Sequence, residues 1–272
     1  MKLTNENYFS KEAMKEYLSV SQFKSFIGTG AFEGCPACAM AELNGEYTRE
    51  ISDAMLKGSY VDCMLTEPHK AEGFAKEHPE MFSTRGETKG QLKSTFTRCI
   101  QMVDRVKKDE MCMKFLDGEK QKILTGELFG AKWKIKVDAL ETKFITDLKT
   151  CESITKTYYS PVHGRYVNFI DYYDYVLQAG IYQRIVEQNI GKRLPFFILA
   201  VSSETVTDIG IYQIDNESID ERLKDLESQV SLVQAYKSGQ IEPPRCEHCN
   251  YCKETKVITA PLNYLQLGGK LD

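Results

Sequence analysis

The chain has 272 residues, 42% of them hydrophobic, with a formal net charge of −4 and a pI of about 5.7. That is enough apolar content for one large core, or one core with an appendage. No run approaches the roughly 18 apolar residues of a membrane span. No global positive field advertises nucleic-acid binding, although a local basic groove or a bound metal can override the total. The N-terminus has no apolar h-region, hence no expected signal peptide, and the expected compartment is the cytoplasm.

In chain order, residues 10–26 read as two short helices around a turn opened by Ser19 and Ser21, followed by a Gly-rich loop at 28–38 and helical spacing at 36–45. Residues 50–66 carry Met55, Tyr60, Val61, Met64 and Leu65 at helical spacing and are stopped by Pro68. A polar, irregular stretch at 69–90 contains a short helix near 70–77, and 91–115 reads as one amphipathic helix. The character then changes. Residues 122–130 and 131–141 alternate around a tight Leu-Phe-Gly turn, a hairpin signal, with Trp133, Ile135 and Val137 on one face. Residues 144–150 form a third strand, 171–190 a strong helix, and 194–203 a strand apolar enough to be buried on both faces. A strand at 208–215 and a helix at 217–239, closed by Gly239, lead into thirty loop-rich residues. The order of helices, three strands, helix, two strands, helix predicts an α/β architecture with a mixed central sheet flanked by helices.

The stretch FITDLKTCES, residues 144–153, places Asp147 and Lys149 on the same side of one strand end. Asp138 ends the preceding strand, and sequential strands pair, so both carboxylates are expected near one end of the sheet. Carboxylates so placed repel unless a cation lies between them. Mg²⁺ suits such a pair, taking one or two protein carboxylates with water and phosphate in the remaining positions. Lys149 would orient the attacking water or stabilise charge on a phosphate. Lys134, Lys136 and Arg165 are candidate phosphate contacts, as are Thr150 and Ser153. Lone Asp-x-Lys tripeptides are common as solvated strand ends; here the buried strand, the second Asp and the following helix raise the functional reading.

The run KVDALETKFITDLKT resembles the core of the PD-(D/E)xK nuclease superfamily, and more narrowly the RecB-like, phage-type exonucleases related to exonuclease VIII. Val137 stands where the superfamily's proline is often found. The resemblance implies a restriction-endonuclease-like αβββαβ core in a single nuclease domain over 1–272: an N-terminal helical part (1–120), a catalytic sheet and helix (121–216), and a C-terminal helix with a Cys-rich tail (217–272). It covers about residues 20–255. It implies catalytic roles for Asp138, Asp147 and Lys149, with Mg²⁺ or Mn²⁺ as the ion. Gln178 and Tyr182, four apart on one helix face, resemble the family's Gln-x-x-x-Tyr motif, which contacts DNA or supports the metal site. Gly58, Asp62 and Pro68 resemble the upstream helical motif, Asp62 standing where relatives often have His and offering a third metal ligand, direct or through water. Glu127 is a further outer-shell candidate. The implied activity is exonucleolytic hydrolysis of duplex DNA from linear ends, beside a single-strand annealing protein in phage-type recombination; ring-shaped homo-oligomers occur in the family. The rival readings are a non-catalytic DNA-binding or assembly module with the same fold, and a RecB-like nuclease of CRISPR adaptation.

Five of the nine cysteines, Cys38, Cys63, Cys99, Cys112 and Cys151, are scattered and read as reduced, mostly buried thiols. Cys246, Cys249 and Cys252 form a double C-x-x-C, a strong signal for a soft cation. Cys35, in the Gly-rich loop, is the better fourth ligand, with Cys38 as competitor and His248 pointing elsewhere. The layout of one cysteine before the core and three after resembles RecB-like nucleases that hold a [4Fe–4S] cluster; Zn²⁺ is the alternative.

Overall fold

The computed structural model describes residues 1–261; residues 262–272, within the expected loop-rich tail, lie outside the described residues. Before the sheet come α1 (Lys11–Glu16), α2 (Val20–Ile27), α3 (Pro36–Asn44), α4 (Asp53–Thr66), α5 (Ala71–Glu77), α6 (Ser94–Lys107) and α7 (Glu110–Phe115). Then follow β1 (Glu119–Leu128), β2 (Ala131–Leu140), β3 (Ile145–Cys151), β4 (Tyr158–Ser160), β5 (Arg165–Val167), α8 (Phe169–Tyr172) and α9 (Tyr175–Ile190). The described part ends with β6 (Phe196–Ser202), β7 (Ile209–Ile214), α10 (Asn216–Leu223), α11 (Leu226–Lys237) and α12 (Asn250–Glu254).

The central sheet has the order β1-β2-β3-β6-β7, with β3 and β6 parallel and the other neighbours antiparallel. This is the mixed αβββαβ arrangement expected from the pattern: a meander, the crossover helix α9, then a strand returning parallel to β3. The β1–β2 hairpin closes through Phe129 and Gly130, both at positive φ (53° and 73°), as a two-residue turn of primed type requires. Each sheet face has its own core. On one side Trp133, Ile135, Val137, Ile145, Phe196 and Ile198 pack with Leu177, Ile181 and Ile185 of α9. On the other, Leu148, Leu199 and Val201 pack with Leu56, Val61, Phe96 and Val103 of α4 and α6. β6 therefore feeds both faces, which is why its sequence is almost continuously apolar.

Three expected helices are each two. The 91–115 helix breaks at Lys108 and Asp109, whose carboxylate caps α7 by accepting from the Cys112 N–H at 3.0 Å. The 171–190 helix breaks before Asp174, which is left-handed (φ 52°), caps α9 through the Leu177 N–H and is paired with Arg222 at 2.8 Å. The 217–239 helix breaks at Lys224 and Asp225. In the first two, a carboxylate satisfies amides of the next helix, so the chain changes direction while the apolar spacing carries on. The β4–β5 ribbon is an addition that the alternation does not suggest.

One irregularity of the sheet positions the acidic residues. β2 pairs with β1 from end to end, Gln121 with Asp138 excepted, but with β3 only at Ala139↔Thr146 and Leu140↔Ile145, after which the two strands part. The exposed edge of β2 is satisfied from elsewhere, as buried backbone must be. The Leu18 N–H donates to the Lys132 carbonyl, the Lys134 N–H donates to the Leu18 carbonyl (both 2.8 Å), and the Tyr182 hydroxyl donates to the Lys136 carbonyl at 3.2 Å.

Candidate functional site

The fork between β2 and β3 holds the acidic residues. Asp138 sits one position before the last β2–β3 pairs, and its Oδ2 accepts from the Leu148 N–H at 2.8 Å, replacing a ladder bond. Asp147, 3% exposed, lies on β3 beside Leu148. Its Oδ1 accepts from the Gln178 amide on α9 at 2.6 Å, and its Oδ2 lies 2.5 Å from Lys149 Nζ. That ion pair aside, Oδ2 is buried without a hydrogen-bond donor. Asp147 and Lys149 thus point the same way, as i and i+2 on a strand should. The Lys149 ammonium also lies 4.8 Å from the centre of the Tyr175 ring.

Asp62 approaches from α4. Gly58, one turn earlier, lies against β3, where a Cβ would stand 3.1 Å from Thr150 Oγ1, so a small residue lets the helix come close. Asp62 is joined to Asp138 by Gln121 of β1, whose Nε2 lies 3.2 Å and 3.3 Å from the two Asp62 oxygens, 3.4 Å from Asp138 Oδ1 and 3.0 Å from Thr66 Oγ1. Burial first, then the Asp147 carboxylate, pushes the Asp62 carboxyl up to about 6. Burial, then Asp62 and Asp147, raises Asp138 well above the usual carboxylate range. For Lys149, burial works against the charge, but Asp147, Tyr175 and Asp138 outweigh it and raise its pKa, so it remains an ammonium.

The donor set fits a hard divalent cation: mutually repelling buried carboxylates and one buried oxygen, Asp147 Oδ2, whose partner is the Lys149 ammonium alone. The three aspartates are not drawn into one tight tripod. Among the described residues, the cysteines are the group of three or more candidate ligands whose atoms all lie within 4.8 Å of one another.

Other candidates fall differently. Tyr182, expected beside Gln178, turns its hydroxyl to the Lys136 carbonyl and braces the edge of the fork. Glu127 is exposed by the hairpin turn, opposite Lys132, and its backbone is held by Gln188 of α9; the structure does not bring it to the site. Lys134 is not a surface cation. It is 2% exposed, donates to the Tyr8 carbonyl and lies 4.7 Å from the Tyr8 ring centre, because the N-terminal segment covers that face of β2. Lys136 stays partly exposed, 4.0 Å from Glu67, and Arg165 is exposed on β5. Thr150 lines a cavity of about 560 Å³ together with Lys57, Ser94, Arg98, Glu152 and Tyr173. The sequence pattern does not single out Lys57, Arg98, Gln121 or Tyr175. A polar residue within an alternating strand carries no signal that it turns inward, as Gln121 does.

Cys35, Cys246, Cys249 and Cys252 converge. Cys35 Sγ lies 3.6 Å from Cys252 Sγ, and Cys246 Sγ 4.0 Å from Cys252 Sγ. Backbone N–H groups of Cys38, His248, Cys249 and Cys252 donate to these sulfurs at 3.3–3.4 Å. Cys38 is outside the group, its sulfur facing Arg49. The group could hold a metal and joins the start of α3 to α12.

No helix among the described residues is long and apolar enough to cross a membrane. No curated protein matches the chain. A crystal structure described as a "Putative exonuclease" from Eubacterium rectale shares 40% identity, covers 98% of this chain and 99% of its own, and superposes with a TM-score of 0.92. The family model described as "PDDEXK-like domain of unknown function (DUF3799)" matches residues 19–255. In keeping with its αβββαβ core and forked strands, the chain belongs to this PDDEXK-like family, within the PD-(D/E)xK nuclease superfamily.

Proposed function

We propose that the chain is a single-domain, metal-dependent exodeoxyribonuclease that hydrolyses phosphodiester bonds from the ends of linear duplex DNA. The observation that carries this reading is the strand fork, which sets Asp138 and Asp147 of neighbouring strands beside Lys149 and Gln178. Exonucleolytic action is supported by the description of the 40%-identical structural relative.

Asp138 and Asp147 would hold Mg²⁺ or Mn²⁺, with Asp62 reaching it through water. When bound, the ion polarises the scissile phosphate and makes water a better nucleophile. Gln178 occupies Asp147 Oδ1 and leaves Oδ2, which is paired with Lys149, as the oxygen that would turn to the ion. Lys149 supplies a fixed positive charge for the phosphate or the attacking water. Tyr182 keeps the fork open by satisfying the Lys136 carbonyl, and Lys57 and Arg98 offer the strand a phosphate path through the adjoining cavity. A single-strand annealing protein is the partner that the family resemblance implies.

At the cysteines, the spacing favours one thiolate-bound ion. A tetrahedron with Zn–S of about 2.3 Å has edges of about 3.8 Å, close to the observed 3.6 Å and 4.0 Å. A four-iron cluster holds its thiolates further apart.

The test is digestion of end-labelled linear duplex, closed circular and single-stranded DNA, with and without Mg²⁺, by wild type and Asp147→Ala. Loss of linear duplex only with Mg²⁺, and only in wild type, is the expected result. DNA binding without cutting would replace the proposal with a non-catalytic module, and cutting of closed circles would remove the exonuclease assignment.

A further inference from the structure

Gln121 is at odds with its surroundings. It lies within β1, yet its backbone is left-handed, with φ at 50°, a region that a side chain other than Gly, Asn or Asp seldom enters. The β1–β2 ladder keeps one register from Glu119↔Leu140 to Leu128↔Ala131 and skips a single pair, Gln121 with Asp138. The residue is only 8% exposed. Its carboxamide nitrogen has two N–H groups and four oxygens within reach: both of Asp62, Oδ1 of Asp138, and Thr66 Oγ1. Thr66 in turn donates to the Asp62 carbonyl at 2.9 Å, so the amide is tied into the last turn of α4.

Such a backbone persists only where the surrounding contacts over-determine it, and such positions cluster at functional sites. A glycine would adopt the same φ without strain. What a glycine lacks is the amide. We propose that Gln121 is a positioning residue of the divalent-ion site: its carboxamide gathers Asp62 of α4 and Asp138 of β2 into one carboxyl pair and thereby sets how tightly the ion is held. This rests on the metal-site reading above. Two carboxylates on separate elements repel and turn apart unless a donor or a cation stands between them. The neutral amide is that donor while no ion is bound, so ion binding does not have to recruit Asp62 from another orientation. Groups that orient metal ligands in this way typically change affinity by about 10–100-fold when removed.

The experiment is a Mn²⁺ binding isotherm, read by the electron paramagnetic resonance of free Mn²⁺, together with thermal unfolding without Mn²⁺. Wild type, Gln121→Gly and Gln121→Met are compared as full chains. Gln121→Gly relieves the backbone; Gln121→Met keeps the length and the strain but has no donor. The expected result is Mn²⁺ binding weakened at least about ten-fold in both variants, with Gln121→Gly unfolding no earlier than wild type. Mn²⁺ binding as tight as wild type in either variant overturns the proposal while leaving the metal site intact. If wild type itself binds no Mn²⁺, the metal-site reading and this proposal fall together.

Discussion

Asp138 stands opposite Asp147 in the register set by Ala139↔Thr146 and Leu140↔Ile145, and it is at this pair that β2 and β3 separate. The Asp138 side chain fills the opening by accepting the Leu148 N–H that a β2 carbonyl would otherwise take. One substitution of backbone by side chain thus ends the ladder at the point where two carboxylates face each other across the strands. Like charges directly opposite on paired strands are destabilising; here the strands part at that pair, which relieves them.

Replacing either half of the Asp147–Lys149 pair should abolish cutting in different ways. Asp147→Asn keeps shape and loses the ligand charge. Lys149→Met keeps the ligands and loses the cation. Each should lower single-turnover cleavage of end-labelled duplex by about 10²–10³-fold or more, but only Asp147→Asn should also weaken Mn²⁺ binding. Equal loss of Mn²⁺ binding in Lys149→Met would mean that the lysine is structural.

The raised carboxyl of Asp62 gives stability a defined slope. Its folded value of about 6 lies above the ordinary 3.8, so between these pH values the unfolded chain has released a proton that the folded chain keeps. Stability without the ion therefore falls as pH rises through about 4 to 6, by on the order of 3 kcal/mol from this group. Asp138, also raised by burial and by its neighbouring carboxylates, adds to the fall. Divalent ions compete with these protons, so apparent Mn²⁺ affinity should rise across the same window. Thermal unfolding against pH, with and without Mn²⁺, measures both, and Asp62→Asn should flatten the metal-free slope.

Much of this site is legible in the amino-acid sequence. Asp138, Asp147 and Lys149 follow from strand alternation, Gln178 from helix spacing and resemblance, and Cys35 from its Gly-rich loop and the resemblance to a one-plus-three cysteine layout. What escapes has common physical causes. The breaks before α7 and α9 sit on Asp109 and Asp174, good cap residues hidden inside uninterrupted apolar spacing. Lys134 carries the signature of a solvent-facing residue on β2. Only the long-range return of Tyr8 and Leu18 to that strand buries it, and local patterning does not register such contacts.

The burial of Lys134 separates it from the other candidate phosphate contacts. Lys134→Met should leave DNA affinity and its salt dependence unchanged and shift stability by no more than about 1–2 kcal/mol, since an apolar chain of similar length suits the buried position. Arg165→Ala and Lys136→Ala should instead weaken binding at low salt and reduce the salt slope by about one ion each if they meet phosphates. Fluorescence titration of a labelled duplex over a range of salt concentrations separates the two cases.

For the cysteine group, elemental analysis of purified protein should find about one zinc per chain in a colourless solution. Four irons per chain and the visible absorption of an iron–sulfur cluster would reverse that assignment. Cys252→Ser, at a fully buried ligand, should lose the metal and expose the 245–255 segment to limited proteolysis.

β3 and β6 are neighbours in the sheet but are separated in the chain by the ribbon, α8 and the whole of α9. Parallel pairing of this kind is entropically costly, because a long loop must close before any of its bonds repay the lost freedom. Asp147 rides on one side of that closure and Gln178 on the segment being closed, so the contact between them requires the closed loop. A chain in which that loop has not closed therefore lacks the assembled candidate site.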